Sequence, residues 1–227
     1  MNILRIALDG PSGAGKSSLA KEIARRLNIV YLDTGALYRT VGLYAKQKGV
    51  NPSDAQAMAA ILPTLSLDVR MEEDGQHVYL NGGDVGDSIR TPEMSKYASA
   101  VSALPVVRAF LLDTQRNFAA HHSVIMDGRD IGTVILPDAD VKIFLTASAK
   151  ARARRRHAEL TVKGIETTLE QVLADMEQRD RNDATRDAAP CVAAEDAVLL
   201  DNSNLSVKGT VTVALAIIQA KVEEKSE

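Results

Sequence analysis

The stretch ALDGPSGAGKSSLAKEIARRL, residues 7–27, places a glycine-rich turn between an apolar run and an amphipathic segment. Its residues 10–17 read GPSGAGKS and match G-x-x-x-x-G-K-[ST], and the run ILRIAL (3–8) that leads into it is typical of a buried strand. Glycines let backbone N–H groups converge on a phosphate, and the first turn of the following helix adds favourable partial charge. The stretch therefore predicts a nucleoside triphosphate site at a strand-to-helix junction.

Two side chains in this loop carry specific chemistry. A lysine such as Lys16 can bridge the β- and γ-phosphates, and the hydroxyl of Ser17 can be a ligand of Mg²⁺. The predicted nucleotide-binding set comprises Gly10, Pro11, Ser12, Gly13, Ala14, Gly15, Lys16, Ser17 and Ser18. Such a loop occurs in motors, switches, transporter subunits and small-molecule kinases, so the remaining sequence has to separate these classes.

The composition is that of an ordinary globular protein. Of 227 residues, 45% are hydrophobic and 25% are charged, and the net charge of −3 provides no overall basic field for nucleic acid. No apolar run reaches the roughly 18 residues that a membrane helix needs, and MNILRIALDG turns to glycine too early for a signal peptide. The single cysteine, Cys191, fits a reducing compartment. We expect a cytoplasmic protein without nucleic-acid or membrane partners.

Further apolar runs alternate with helical patterns along the chain. The runs are IVYL (29–32), SVIM (123–126), VKIFLTA (141–147) and AVLLD (197–201), and helices are predicted over 35–47, 94–119, 148–161, 166–181 and 207–224. This alternation predicts an α/β fold with a five-stranded parallel sheet flanked by helices. Residues 65–85 depart from it, because alternating polarity around Asp74-Gly75 predicts a small antiparallel β insertion.

The motif DTGALYR, residues 33–39, directly follows the second predicted strand. Ligands of such sheets bind at the carboxyl ends of the strands. A polar turn that enters a helix, with Arg39 one turn further on, is suited to a second anion. The alternative is a capped helix with a surface arginine, since Asp and Thr are common caps.

The motif DGRDIGT, residues 127–133, follows the third predicted strand. Asp127 occupies a position from which a carboxylate can support the water shell of Mg²⁺. Two carboxylates flank Arg129, and three charged groups at a strand end are a costly arrangement unless they bind a ligand. We therefore predict a ligand site here, and a charged surface turn is the alternative.

Arginines are concentrated in two later helical segments. RARRR (152–156) brings Arg152, Arg155 and Arg156 to one helix face, and LTVKG (160–164) provides a turn after it. Arginines on a closing segment can neutralise the oxygens of a transferring phosphoryl group. A solvated face or a nucleic-acid patch is the alternative, but the second cluster interleaves acidic residues: Arg179, Asp180, Arg181, Asp183 and Arg186.

Taken together, GPSGAGKSS, DTGALYR, DGRDIGT and the pair RARRR…QRDRNDATR resemble the bacterial cytidylate kinases, which are nucleoside monophosphate kinases. The resemblance extends from Ile3 to the last helix. It implies a phosphate-loop NTPase fold with a core of residues 1–62, 92–150 and 166–227, a monophosphate-binding insertion at about 63–91 and a helical lid at about 151–165. It further implies phosphoryl transfer from ATP, with Mg²⁺, to CMP or dCMP by a monomer.

The resemblance also implies roles for individual residues. ATP would bind the loop from Gly10 to Ser18, and Mg²⁺ would be held by Ser17 and, through water, by Asp127. The implied catalytic residues are Lys16, Arg152, Arg155 and Arg156. The implied CMP-binding residues are Thr34, Tyr38, Arg39, Ser99, Arg108, Arg129, Asp130, Arg179, Asp183 and Arg186. Among these, cytosine would be read by Ser99, Arg108 and Asp130.

Two other functions remain as alternatives. One is a kinase for a different small acceptor, such as another nucleotide or a polyol acid. The other is a nucleotide-dependent switch, although the guanine-reading motif N-K-x-D of GTPase switches does not occur in the sequence.

Overall fold

The computed structural model describes residues 3–225 and forms an α/β fold. Its first half, in chain order, consists of β1 (Arg5–Asp9), α1 (Lys16–Leu27), β2 (Val30–Asp33), α2 (Thr34–Gln47), α3 (Ala55–Ile61), β3 (Leu67–Glu72), β4 (Gly75–Leu80), β5 (Gly83–Asp84), α4 (Pro92–Ser102) and α5 (Pro105–His121). The second half consists of β6 (Val124–Asp127), β7 (Val141–Thr146), α6 (Ala149–Val162), α7 (Leu169–Thr185), β8 (Val198–Asp201) and α8 (Val207–Glu224). Short 3-10 helices lie at Leu62–Thr64 and Gly86–Ile89, and a π-helical turn at Ile131–Ile135.

The main sheet has the strand order β2-β6-β1-β7-β8. β1 pairs in parallel with β6 on one side, with Leu8 opposite Asp127, and with β7 on the other, with Leu8 opposite Ile143. β8 continues the parallel arrangement beside β7. Because parallel strands are covered on both faces, their apolar runs need no alternation, and every residue of β6 is buried. The predicted five-stranded parallel sheet is confirmed.

Within residues 3–225 the chain divides into two compact units. The first unit contains residues 3–30 and 122–225, and the second contains Tyr31–His121. In the first, α1 packs on β6, and α6 packs on α7 through the apolar residues Ala153, Leu160, Val172 and Met176. The first unit therefore holds the glycine-rich loop, DGRDIGT and both arginine clusters.

The second unit has its own apolar core. Helix α2 contributes Leu37 and Val41, which pack with Val78 and Leu80 of β4 and with Leu111 of α5. The antiparallel sheet β3-β4-β5 was predicted from the alternation in residues 65–85 and is confirmed, with Glu72 opposite Gly75 at the hairpin turn.

The helix predicted over 94–119 is wrong as a single element. Helix α4 ends at Ser102 and α5 begins at Pro105. A proline disfavours helical backbone at the residue before it and has no N–H to donate, so it starts a helix more readily than it continues one. The apolar periodicity on both sides of Pro105 led to the prediction of one continuous helix. Helix α3 was not predicted, because its apolar pattern is too short.

None of the helices in the described part of the chain is both long and apolar enough to cross a membrane.

Candidate active site

The glycine-rich loop leaves β1 at Asp9 and enters α1 at Lys16. Gly10 passes so close to β7 that a β-carbon there would overlap the carbonyl oxygen of Leu145. Gly15, the N-cap of α1, has φ +92°, in the left-handed region that favours glycine. The two glycines thus allow the loop to turn tightly against the sheet.

The ammonium of Lys16 is buried inside the loop. Its Nζ donates to the carbonyl oxygens of Gly10 and Pro11, at 2.8 Å each. Burial, followed by the positive charge of Arg129, lowers the pKa of Lys16 to about 7. Its hydrogen bonds go to neutral carbonyls, and the nearby carboxylates of Asp127 and Asp9 offset its desolvation only in part. An anionic ligand on the loop would provide the missing counter-charge.

Ser17 and Asp127 meet at the carboxyl end of the sheet. The Ser17 hydroxyl donates to Oδ2 of Asp127 at 2.8 Å, and the Asp127 carboxylate is buried. Mg²⁺ in nucleotide sites binds oxygen ligands and retains several waters, so a serine hydroxyl beside a carboxylate fits this ion. The structure thereby brings together the two residues that the sequence assigned to the metal.

Asp9 is a buried carboxylate of the candidate site that the sequence reasoning missed. Its buried carboxylate accepts the N–H groups of Ile131 at 2.8 Å and Gly132 at 2.7 Å, so it fixes the turn that begins after Asp130. Burial raises the pKa of Asp9 to about 6, against the lowering effect of these two hydrogen bonds. The sequence feature that could have indicated Asp9 is an acidic residue at the end of a largely apolar strand.

Arg129 and Asp183 form a partly buried ion pair. Arg129 Nε donates to Asp183 Oδ2 at 2.9 Å, and Arg179 Nε lies 4.0 Å from the same oxygen. Burial is the largest single influence and lowers the pKa of Arg129, but the charge and hydrogen bond of Asp183, together with Asp127 and Cys191, outweigh it and raise the pKa of the guanidinium. The folded first unit thus brings Arg129, from the turn after β6, to Asp183 of α7, 54 positions later in the sequence.

A second ion pair joins Asp130 to Arg186. Arg186 Nη2 lies 3.4 Å from Asp130 Oδ1, and both side chains are buried. Arg186 also donates from Nε to the carbonyl oxygen of Ala189 at 2.7 Å. Because the two charges are desolvated together, the arrangement is well suited to recognising a polar ligand and poorly suited to a solvated surface.

Arg152 is a predicted lid arginine, and it contacts the glycine-rich loop. Its Nη1 donates to the carbonyl oxygen of Ser12 at 2.8 Å and to Asp180 Oδ2 at 2.5 Å. The other oxygen of Asp180 accepts the Ser12 N–H at 3.1 Å. The sequence named Arg152 but gave no role to Asp180, which connects α7 to the same loop residue.

The other two predicted lid arginines have partners elsewhere in the first unit. Arg155 donates to the side chain of Asn202 at 3.0 Å and to its backbone carbonyl at 2.7 Å, whereas Arg156 pairs with Glu159 at 3.1 Å. Asn202 in turn donates to the Ala14 carbonyl at 2.9 Å. Asn202 was also missed, although it directly follows the last strand of the sheet, where ligand-related residues are expected.

In the second unit, the DTGALYR motif forms the start of α2. Asp33 caps the helix by accepting the Ala36 N–H at 3.0 Å, and its other oxygen pairs with Arg39 Nη2 at 2.7 Å. A β-carbon at Gly35 would lie 3.0 Å from Arg39 Nη1, so the glycine leaves room for the guanidinium over the turn. The helix cap is therefore present, and the anion site at this segment stays a prediction.

The remaining predicted acceptor residues of the second unit lie on α2, α4 and α5. The guanidinium of Arg108 stands over the ring of Tyr38 at 5.8 Å and donates to the Ser102 carbonyl at 3.3 Å. The Ser99 carbonyl accepts the Ser102 hydroxyl at 3.0 Å, and Thr34 is buried at the first position of α2. The fold thus brings Tyr38 and Arg108 together from distant parts of the sequence.

Cys191 lines a cavity of about 140 Å³ beside Pro11, Thr146 and Asp183. Burial raises the pKa of its thiol to about 11, even though Arg129 and Lys16 act in the opposite direction. A thiol of this kind is protonated at neutral pH and is a weak nucleophile.

We therefore expect Cys191 to react slowly with a disulfide reagent at pH 8. A pKa two units above the ordinary 9.0 gives about 100-fold less thiolate, and we expect the rate to fall by about that factor. The chain has one cysteine, so the absorbance of the released thiol reports this residue alone. The control is the same protein in denaturant, and equal rates in both states would contradict the prediction.

Comparison with known proteins identifies the family. The family model described as cytidylate kinase matches residues 6–220. A cytidylate kinase of Fervidobacterium nodosum is 47% identical over 221 residues, which cover 97% of this chain and 99% of that protein. One of Carboxydothermus hydrogenoformans is 45% identical over 218 residues, covering 96% and 98%.

Solved structures support the fold. A gluconokinase from Sinorhizobium meliloti superposes with a TM-score of 0.52 at 14% identity, covering 98% of this chain and 95% of that one. At this identity the likeness concerns the fold alone. The sequence family, the coverage of nearly the whole chain and the loop geometry agree, and the chain belongs to the cytidylate kinase family.

Proposed function

We propose that this protein transfers the γ-phosphoryl group of ATP to CMP, and to dCMP, by direct in-line displacement. The observation that carries the proposal is the arrangement of Lys16, Ser17 and Asp127 around the phosphate loop in a chain that the cytidylate kinase family matches over residues 6–220. The proposed setting is pyrimidine nucleotide metabolism in the cytoplasm, with the protein acting as a monomer.

In the proposed reaction, the bond between the γ-phosphorus and its bridging oxygen breaks, and a new bond forms to an oxygen of the CMP phosphate. ADP leaves with the bridging oxygen, and CDP carries the transferred group. No side chain forms a covalent intermediate, so the protein contributes positioning and positive charge. Lys16 lies inside the loop and supplies a cation for the β- and γ-phosphates.

Mg²⁺ fits this site through the Ser17 hydroxyl and, by way of water, the Asp127 carboxylate. When bound, the ion would neutralise charge on the β- and γ-phosphate oxygens. The Ser17 hydroxyl donates a hydrogen bond of 2.8 Å to Asp127, which holds the two oxygen atoms proposed to bind the ion close together.

The arginines Arg152, Arg155 and Arg156 are proposed to complete the positive charge around the transferring group. Arg152 has the strongest support, because it already contacts the Ser12 carbonyl of the phosphate loop. Residues 151–165 are proposed to act as a lid that excludes water during transfer.

CMP-binding roles are proposed for two sets of residues. From the first unit these are Arg129, Asp130, Arg179, Asp183 and Arg186, which form the two ion-pair groups at 2.9–4.0 Å. From the second unit they are Thr34, Tyr38, Arg39, Ser99 and Arg108. Within the described residues, the buried Nε of Arg39 has no hydrogen-bond partner, which supports an anionic ligand for this side chain.

An acceptor panel tests the proposal. ATP and Mg²⁺ are supplied with CMP, dCMP, UMP, AMP or gluconate, and the phosphorylated form of each acceptor is measured by ³¹P NMR. We expect CMP and dCMP to be phosphorylated. Preferential phosphorylation of gluconate would instead support a kinase for another small acceptor.

Without an acceptor, the protein should be a poor ATPase. Water is not held in line with the γ-phosphorus as the CMP phosphate would be, and loss of positioning alone costs about 10²-fold in rate. We expect ADP release, followed with a coupled enzyme assay, to be slower by at least about this factor when CMP is omitted. ADP release at the same rate with and without CMP would favour the nucleotide-dependent switch.

A further inference from the structure

One face of strand β4 carries a polar residue where the pattern calls for an apolar one. Val78 and Leu80 are buried in the core of the second unit, against Leu37 and Val41 of α2. Gln76 lies two positions before Val78, so its side chain points to the same face of the strand, and it is half-buried. A half-buried amide at the end of an apolar face indicates a specific polar contact.

That contact is to the backbone of Asp33. Gln76 Oε1 accepts the Asp33 N–H at 2.6 Å, and Gln76 Nε2 donates to the Asp33 carbonyl at 3.3 Å. A backbone N–H requires an acceptor, which fixes the orientation of the amide. The side chain thus binds both backbone polar groups of Asp33, as a neighbouring strand would.

Asp33 transmits this restraint to Arg39. Its Oδ1 holds the first turn of α2 through the Ala36 N–H at 3.0 Å, and its Oδ2 holds Arg39 Nη2 at 2.7 Å. The charge-assisted bond from Arg39 to Asp33 is shorter than the bond from the Ala36 N–H to Asp33. It orients the Arg39 guanidinium over Gly35. The contacts from β4 to the arginine therefore form one continuous series.

We propose that Gln76 is a positioning residue for Arg39, and that the β insertion acts on the acceptor phosphate through this amide and Asp33. The inference rests on the proposed function, in which Arg39 binds the phosphate of CMP. An arginine recognises phosphate best when its planar fork is already oriented, because less side-chain entropy is lost on binding. Gln76 supplies that orientation by fixing the residue to which Arg39 is paired.

The test replaces Gln76 with methionine, which has a similar length and cannot form either bond. If Arg39 is no longer held in place, binding CMP must order this side chain, which costs about 0.5–1.5 kcal/mol and corresponds to an increase of about 2- to 13-fold in the KM for CMP. The KM for ATP should remain within about twofold, since the phosphate loop belongs to the other unit. Gln76→Glu keeps an acceptor for the Asp33 N–H and should give a smaller increase.

Two comparisons separate positioning from a general structural effect. Tyr79→Phe removes a hydrogen bond of 2.7 Å to Glu72 in the same hairpin, and it should leave both KM values unchanged. In a protein that already carries Arg39→Met, adding Gln76→Met should raise the KM for CMP little further, because the effect of Gln76 passes through Arg39.

The inference fails if Gln76→Met leaves the KM for CMP unchanged, raises both KM values equally, or has the same effect with and without Arg39. Should Gln76→Met not fold, Gln76→Glu and Gln76→Asn are measured in the same way. Calorimetric binding of CMP to the wild-type protein distinguishes a failure of the proposed function from a failure of the inference about Gln76. Wild-type protein that neither binds nor phosphorylates CMP overturns the proposed function itself, whereas normal binding that is insensitive to Gln76 overturns only this inference.

Discussion

Lys16→Ala should lower kcat by about 10²- to 10³-fold, the effect seen when one electrostatic contact to a developing charge is removed. The Lys16 ammonium is buried and bonded to two loop carbonyls at 2.8 Å each. Burial lowers the pKa of Lys16 to about 7, and the carboxylates of Asp127 and Asp9 offset this effect only in part. Binding of a triphosphate reverses this situation, because the anion favours the charged lysine. The side chain is therefore poised to act on the phosphates and contributes little to the fold as an ion pair.

The measurement is steady-state CMP phosphorylation at saturating ATP, together with a circular dichroism spectrum and a thermal melt. We expect an unchanged spectrum and no loss in melting temperature, because alanine removes a buried charge together with its stem. Lys21→Ala is the matched control, since Lys21 lies on the same helix α1 and is exposed. Turnover of Lys16→Ala close to that of Lys21→Ala would show that the loop is not the phosphate site.

The sequence predicted those parts of the fold that depend on local patterns. The five main strands follow apolar runs, and the hairpin of β3 and β4 follows the turn signal at Asp74-Gly75. The phosphate loop was identifiable because its glycines, lysine and serine perform their roles within a few consecutive residues. The partnership of Ser17 with Asp127 could be expected as well, since both follow neighbouring strands of a parallel sheet.

Contacts between distant side chains were not predictable in this way. Nothing near Gln76 in the sequence indicates Asp33 as its partner, which lies 43 positions earlier. Periodicity reports which face of an element is buried, and it does not report which backbone group a polar side chain reaches. The break before Pro105 was missed for a related reason, because both helices continue the same apolar period. The partners of Arg155 and Arg156 likewise depend on tertiary packing.

The largest selectivity should concern the base of the acceptor. Cytosine presents an exocyclic amino group as a donor, whereas uracil presents a carbonyl oxygen at the same position. The carboxylate of Asp130 is an acceptor only, and it is held in a buried pair with Arg186 at 3.4 Å. An amino group completes its hydrogen bonding, but a carbonyl oxygen would place two acceptors against each other without water. Sites built on hydrogen bonds discriminate by roughly 10⁴-fold against such a mismatch, so we expect CMP to be preferred over UMP by about this factor.

Asp130→Ala should reduce the ratio of kcat/KM for CMP to that for UMP, mainly by lowering the value for CMP. With the carboxylate removed, the cytosine amino group loses its acceptor, and the uracil carbonyl no longer faces one, because the remaining Arg186 is a donor. Both substrates are measured in the wild-type protein, in Asp130→Ala and in Asp138→Ala, whose side chain is 69% exposed and pairs with Arg5. The exposed control should keep the wild-type ratio. An unchanged ratio in Asp130→Ala would remove Asp130 from base recognition and leave it only its pair with Arg186, because a purely structural carboxylate would lower the values for both substrates by the same factor.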